Sequence, residues 1–286
     1  MIWVAYTLIA ILFVAAADIN QKISLTSKSN ISSITNNFYC WGLIGLFALV
    51  LTLVLKLPFP VFTFSFLAKL LLLSIVYFFG GTLFYASFKS NSVSISSILG
   101  TISSVITTFL GIIFFSESTS PLKFFGSIII LTSIIFINFS KGARLDKYNI
   151  LALLGGVCYG VAYTIDKSFV LNLNPIVYQS IISLSVAIFS LIVRPKLIIS
   201  ESKSISRLTA RSIVMAASFF FFYQFFLFSA YKNGGEVGRI DVFNNSSIFV
   251  IFLLEFLILK DKSNLKKKII ASSLAVFGAT LLTIAK

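Results

Sequence analysis

Nine acidic residues stand against 23 Lys and Arg in this 286-residue chain, and several of the charged groups lie inside long apolar runs. An ionisable side chain near a bilayer centre costs about 2.5 to 3.5 kcal/mol, so each one is a candidate for chemistry. Asp18 and Lys22 are four apart and share one helical face, and Asp166 adjoins Lys167 close to Tyr163. Such groups bind a polar solute, exchange a proton or close a gate. The competing reading is that Asp18, Lys22, Asp166 and Lys167 sit at helix ends and snorkel to the interface.

A third cluster holds Arg239, Asp241, Asn244, Asn245 and Glu255. At about 100° per residue, Asn244 and Glu255 differ by only about 20°, which predicts one polar stripe on an apolar helix. Arg239 and Asp241 are expected in a cavity, whereas Glu236 reads as a salt-bridge partner at the helix start. For Glu255 a coupling or structural role and an interfacial position are both open. Ser97, Thr101, Ser104 and Thr108 form a hydroxyl stripe that either lines a wet path or bonds across a helix interface.

These residues must be positioned by membrane-spanning helices. The chain is 58% hydrophobic and 11% charged, against about 25% charged in an average soluble domain, which excludes a water-soluble fold. Runs such as Phe219 to Phe228 are apolar throughout, whereas barrel strands alternate. At about 20 residues per span the length accommodates roughly ten helices. The net charge of +14 falls mostly between apolar runs, where it signals topology and lipid headgroup contact and not nucleic acid. With no His and only Cys40 and Cys158, the usual ligands of zinc, haem and iron–sulfur sites are too few. No metal, cofactor or enzymatic step is expected, and the first run reads as a retained helix, not a signal peptide.

Apolar runs predict helices near residues 2–23, 36–55, 66–88, 92–116, 121–139, 149–171, 176–193, 212–231, 237–259 and 267–285. Pro58, Pro60, Pro121, Pro175 and Pro195 all fall at their boundaries. The polar segment from Arg194 to Arg211 has room for a short interfacial helix. Two halves repeat: the stretch around Lys89 returns 143 residues later around Lys232, and that around Glu117 returns 144 later at Asp261. With five spans each, the second half inserts upside down relative to the first. The expected fold is therefore all-α and integral to the membrane, ten transmembrane helices in an inverted repeat of two five-helix halves, 1–140 and 149–286, joined by a linker at 141–148.

Three elements carry a resemblance: Phe84-Tyr85-Ala86-Ser87-Phe88-Lys89, the small polar run Ser92 to Ser104, and Phe115-Ser116-Glu117, each echoed in the second half. On these the chain resembles the EamA family of the drug/metabolite transporter superfamily over essentially its full length. Two features depart from the pattern: Asp261 stands where the family usually has Glu, and Gly126 and Gly278 occupy unequal positions. The resemblance implies a multi-pass cell-membrane carrier of amino acids, amines or related metabolites, possible proton coupling, and substrate contacts that include Tyr85. The alternative within the superfamily is a lipid or lipid-linked sugar flippase. The expected partners are a small-molecule substrate and membrane lipids, with no nucleic acid, in a monomer or homodimer. Most Lys and Arg fall on odd-numbered loops, which by charge puts those loops in the cytoplasm and both termini outside. The family resemblance implies the reverse.

Overall fold

The protein is described as a computed structural model covering residues 2–27, 29, 31–117, 119–138, 146–261, 263 and 265–284. The helices are α1 (Ile2–Thr26), α2 (Ser33–Val54), α3 (Phe64–Ser87), α4 (Val93–Gly100), α5 (Ile102–Phe115), α6 (Pro121–Asn138), α7 (Lys147–Val170), α8 (Pro175–Val193), α9 (Pro195–Ser202), α10 (Arg207–Lys232), α11 (Val237–Asn245), α12 (Ser247–Leu254) and α13 (Leu265–Ile284). A π-helical turn, Glu255–Leu259, continues α12. No strand occurs among the described residues. Eight helical segments there are long and apolar enough to cross a bilayer, and a shorter apolar stretch runs Phe124–Phe136.

Local chemistry sets the helix starts. Ser32, Thr63, Ser92 and Ser206 each accept the backbone N–H three residues on, which satisfies one of the amides that a helix start leaves unpaired. Pro121, Pro175 and Pro195 open α6, α8 and α9, where their missing N–H costs nothing. The short helix anticipated between Arg194 and Arg211 is α9. Residues 139–145, with most of the expected linker 141–148, lie outside the described residues, and α7 begins at Lys147, two residues before the expected start.

The predicted fourth and ninth helices are each broken. Thr101 separates α4 from α5 and Ser246 separates α11 from α12, 145 residues apart. At both, the backbone N–H bonds three residues back, Thr101 to Ile98 at 3.3 Å and Ser246 to Phe243 at 2.9 Å, which tightens one turn. The Thr101 hydroxyl also bonds the Ile98 carbonyl at 2.7 Å, a side-chain bond that competes with the helical ladder.

The halves interlock. The closest helix pairs are α1 with α10, α3 with α7, α2 with α8 and α6 with α13, each joining one half to the other. Small residues permit the close crossings: a Cβ on Gly156 would lie 2.9 Å from the Gly100 carbonyl oxygen, so α7 meets α4 backbone to backbone.

Candidate functional site

Where α1, α2, α3, α4, α5, α7, α10, α11 and α12 converge they line a cavity of about 90 Å³. Asp18, Tyr85, Ser97, Tyr163, Asp241 and Asn244, predicted from five separate stretches of sequence, all line it, and so does Asn245 beside them. Its wall is aromatic. Tyr159 and Tyr163 stack with centroids 5.8 Å apart, and Trp41 lies 4.8 Å from Tyr77.

Two carboxylates border this space. Asp241 Oδ2 accepts hydrogen bonds from Ser103 and Ser104 at 2.8 Å and from Thr107 at 3.3 Å, so three hydroxyls of α5 stabilise its anion. Asp18 is buried on α1. Among the described residues no ion pair reaches Asp18, Asp241 or Asp166. The cavity also has unused hydrogen-bonding capacity: among the described residues, Asn37 is fully buried with neither amide atom bonded, and Asn244 donates to Tyr223 at 3.0 Å while its Oδ1 accepts nothing. A buried polar atom left without a partner costs about 1–3 kcal/mol, and a polar solute held here recovers it.

The sequence of this chain matches the model of the EamA-like transporter family twice, over residues 1–139 and 146–284. The chain belongs to the EamA-like transporter family. It is thus a multi-pass membrane protein of a transporter kind, with the two-repeat organisation of that family. A crystal structure of a protein is similar to it with a TM-score of 0.66 at 13% identity, covering 99% of this chain and 96% of that one, a likeness that speaks for the fold alone. No curated protein matches.

In this EamA protein the remaining predicted residues lie away from the cavity. Asp166 is fully buried behind its wall, accepting the Tyr77 hydroxyl on Oδ2 and that of Tyr178 on Oδ1. Lys167 pairs with Glu117 at 2.9 Å. Arg239, expected in the cavity, instead pairs with Glu236 at 2.8 Å, because Glu236 stands at the N-cap of α11 and three residues bring the two together. Asp241 does not join this pair and turns to the hydroxyls of α5. Thr101 and Ser104 are buried at the α4–α5 break, Ser104 beneath Asp241.

The predicted stripe from Asn244 to Glu255 is not continuous: the helix breaks at Ser246, and Asn244 lines the cavity while Glu255 meets the start of α4. Glu255 is buried and accepts the Val93 and Ser94 amides and the Ser94 hydroxyl. Trp41, Tyr77 and Tyr159 also line the cavity but carry no charge and sit in ordinary-looking apolar runs, and Asn37 closes a polar segment, so no sequence signal marks them. Glu117, which in sequence marks only a repeated motif, is buried and bonds the first amide of α11.

Proposed function

We propose that this chain is a secondary carrier of a small polar solute bearing a protonated amine, built as ten spans in an inverted repeat of two halves, 1–140 and 149–286, in the cell membrane. The observation that carries the reading is that Asp18 and Asp241 line one cavity, neither held by a cation among the described residues. A cationic solute supplies the missing charge, and the faces of Tyr85, Tyr159 and Tyr163 attract it further. Asn37 and Asn244 bond the solute's polar groups. Protons are the other cation that balances these carboxylates, so the same pair serves exchange of solute for proton during alternating access. No chemical step on the solute is assigned, and the partners proposed are the solute and the surrounding lipid.

Counterflow of labelled amines, amino acids and nucleosides in proteoliposomes tests this, with Asp241→Asn compared against wild type from mildly acidic to mildly alkaline pH. The expected result is exchange of an amine-bearing solute, reduced at least about tenfold in Asp241→Asn, the loss that removing one charged hydrogen bond produces. Full activity in a folded Asp241→Asn protein would make that carboxylate structural. Exchange of no soluble solute, with movement of labelled lipid instead, would replace the carrier reading by a flippase.

A further inference from the structure

The two broken spans are capped across the halves. In the first half, α5 ends on Ser116 in the left-handed conformation (φ 52°), with the Glu117 N–H returning to the Gly111 carbonyl at 3.3 Å. In the second half, the π turn ends on Lys260 (φ 55°), with the Asp261 N–H returning to the Glu255 carbonyl at 3.4 Å. Every position corresponds at an offset of 144. Glu117 then reaches out of its own half to accept the Val237 N–H at 2.8 Å, the first amide of α11. Glu255 reaches the opposite way and accepts the Val93 N–H, the first amide of α4. Val93 and Val237 also correspond at 144.

The carboxylates do not correspond. Glu117 follows the turn, and its side chain lies over Gly111, where even a Cβ would collide with Oε2. In the second half the position of Gly111 is Glu255 itself, which does the capping, and Asp261 turns away to Lys268 at 2.8 Å. Each half therefore reaches the same contact from a site six residues apart, as expected if the contact matters more than the residue making it.

Each cap lies at one membrane face. Segment α4–α5 crosses the bilayer from Val93 to Phe115, and α11 with α12 and the π turn crosses from Val237 to Leu259. The Glu117 contact sits at the Phe115 and Val237 ends and the Glu255 contact at the other. The helices they hold, α4 and α11, are those that carry Ser97, Asp241 and Asn244 into the cavity. The geometry points to Glu117 and Glu255 as positioning residues of alternating access, each latching one mouth and released when that mouth opens. A carboxylate at a helix start also gains from the helix dipole, so release has a definite penalty.

The latches are unequal. Glu117 holds α11 by one amide and is paired with Lys167 at 2.9 Å. Glu255 holds α4 by two amides and the Ser94 hydroxyl, with Lys268 at 3.6 Å. The Glu117 face is the easier one to open.

This inference rests on the carrier reading, but its test needs no substrate, so the two fail separately. Cys40 lines the cavity, and Cys158 is the only other thiol in the chain. In Cys158→Ser protein, a small membrane-impermeant methanethiosulfonate is applied from each face of oriented vesicles and labelling of Cys40 is timed. Labelling is expected to be faster from the Glu117 face. Glu117→Gln should raise the rate from that face alone and Glu255→Gln from the opposite face alone, by about tenfold, the effect of weakening one charged hydrogen bond. Lys167→Met, which leaves Glu117 and Val237 unaltered, should raise it from the Glu117 face and replaces Glu117→Gln if that variant does not fold. Unchanged labelling in folded variants, or a rise from the same face in both, would overturn the assignment.

Discussion

An ideal Cβ on Gly278 would sit 2.7 Å from the carbonyl oxygen of Gly126, so α13 and α6 meet with no side chain between them. In lipid, where apolar surface gains nothing by leaving its solvent, such close backbone contact is a principal source of helix association. The two glycines, at unequal positions in their halves, pack one against the other. Gly278→Val should force α13 outward and lower stability by about 1–3 kcal/mol, the usual range for overpacking. The temperature at which half the detergent-solubilised protein loses monodispersity reports it, and an unchanged midpoint would mean that the crossing is looser than this.

Asp166 separates two hydroxyls that differ only in what lies behind them. Tyr77 lines the cavity and Tyr178 is wholly buried, yet both donate to the same carboxylate. Tyr77→Phe and Tyr178→Phe should each cost about 1.5–3 kcal/mol of stability, as loss of a hydrogen bond to a charged group does. Only Tyr77→Phe should also change the apparent affinity for solute in counterflow.

Gly111→Ala tests the Glu117 latch without touching an ionisable group. The new methyl occupies the place of Glu117 Oε2, so the carboxylate must leave Val237. Cys40 labelling from the Glu117 face should rise as it does in Glu117→Gln, and the double variant should add little, because both changes remove one contact.

Outside the spans, Asp261 carries a pH signature. Partial burial pushes its carboxyl up, but hydrogen bonds from Lys268 and Ser263 outweigh that and hold it below the usual carboxylate range. A carboxyl depressed in the folded state contributes stability above its unfolded pKa, about 3.9, and loses that contribution as pH falls through the folded value. Below pH about 4, wild type should therefore lose thermal stability more steeply than Asp261→Asn, and parallel curves would show that the Lys268 contact is not maintained in solution.

Much of the architecture could be read directly from residue order. Prolines at the helix starts, apolar runs of spanning length and the recurrence of Lys89 at Lys232 depend on local chemistry, and the helices follow them. What escaped was set by contacts between distant residues. The angular argument joining Asn244 to Glu255 assumed a straight helix, and nothing around Ser246 announces a break, since Pro is absent and Ser is tolerated in helices. Aligning Glu117 with Asp261 was correct for the backbone turn and misleading for the side chain, because the capping carboxylate of the second half had moved to the position of Gly111. Asn37 went unremarked because its importance lies in lacking a partner, which only three dimensions reveal.

The cap on α4 also bears on how the chain is made. Val93 is bonded by a residue 162 positions further on, so α4 enters the membrane long before the ribosome has produced its partner. Until then its leading amides must be kept from bare hydrocarbon by water at the headgroups, by Ser92, or by the insertion machinery. The first half therefore lacks this cap until the second is made, and a ribosome that stalls before Glu255 leaves a fourth span without its anchor.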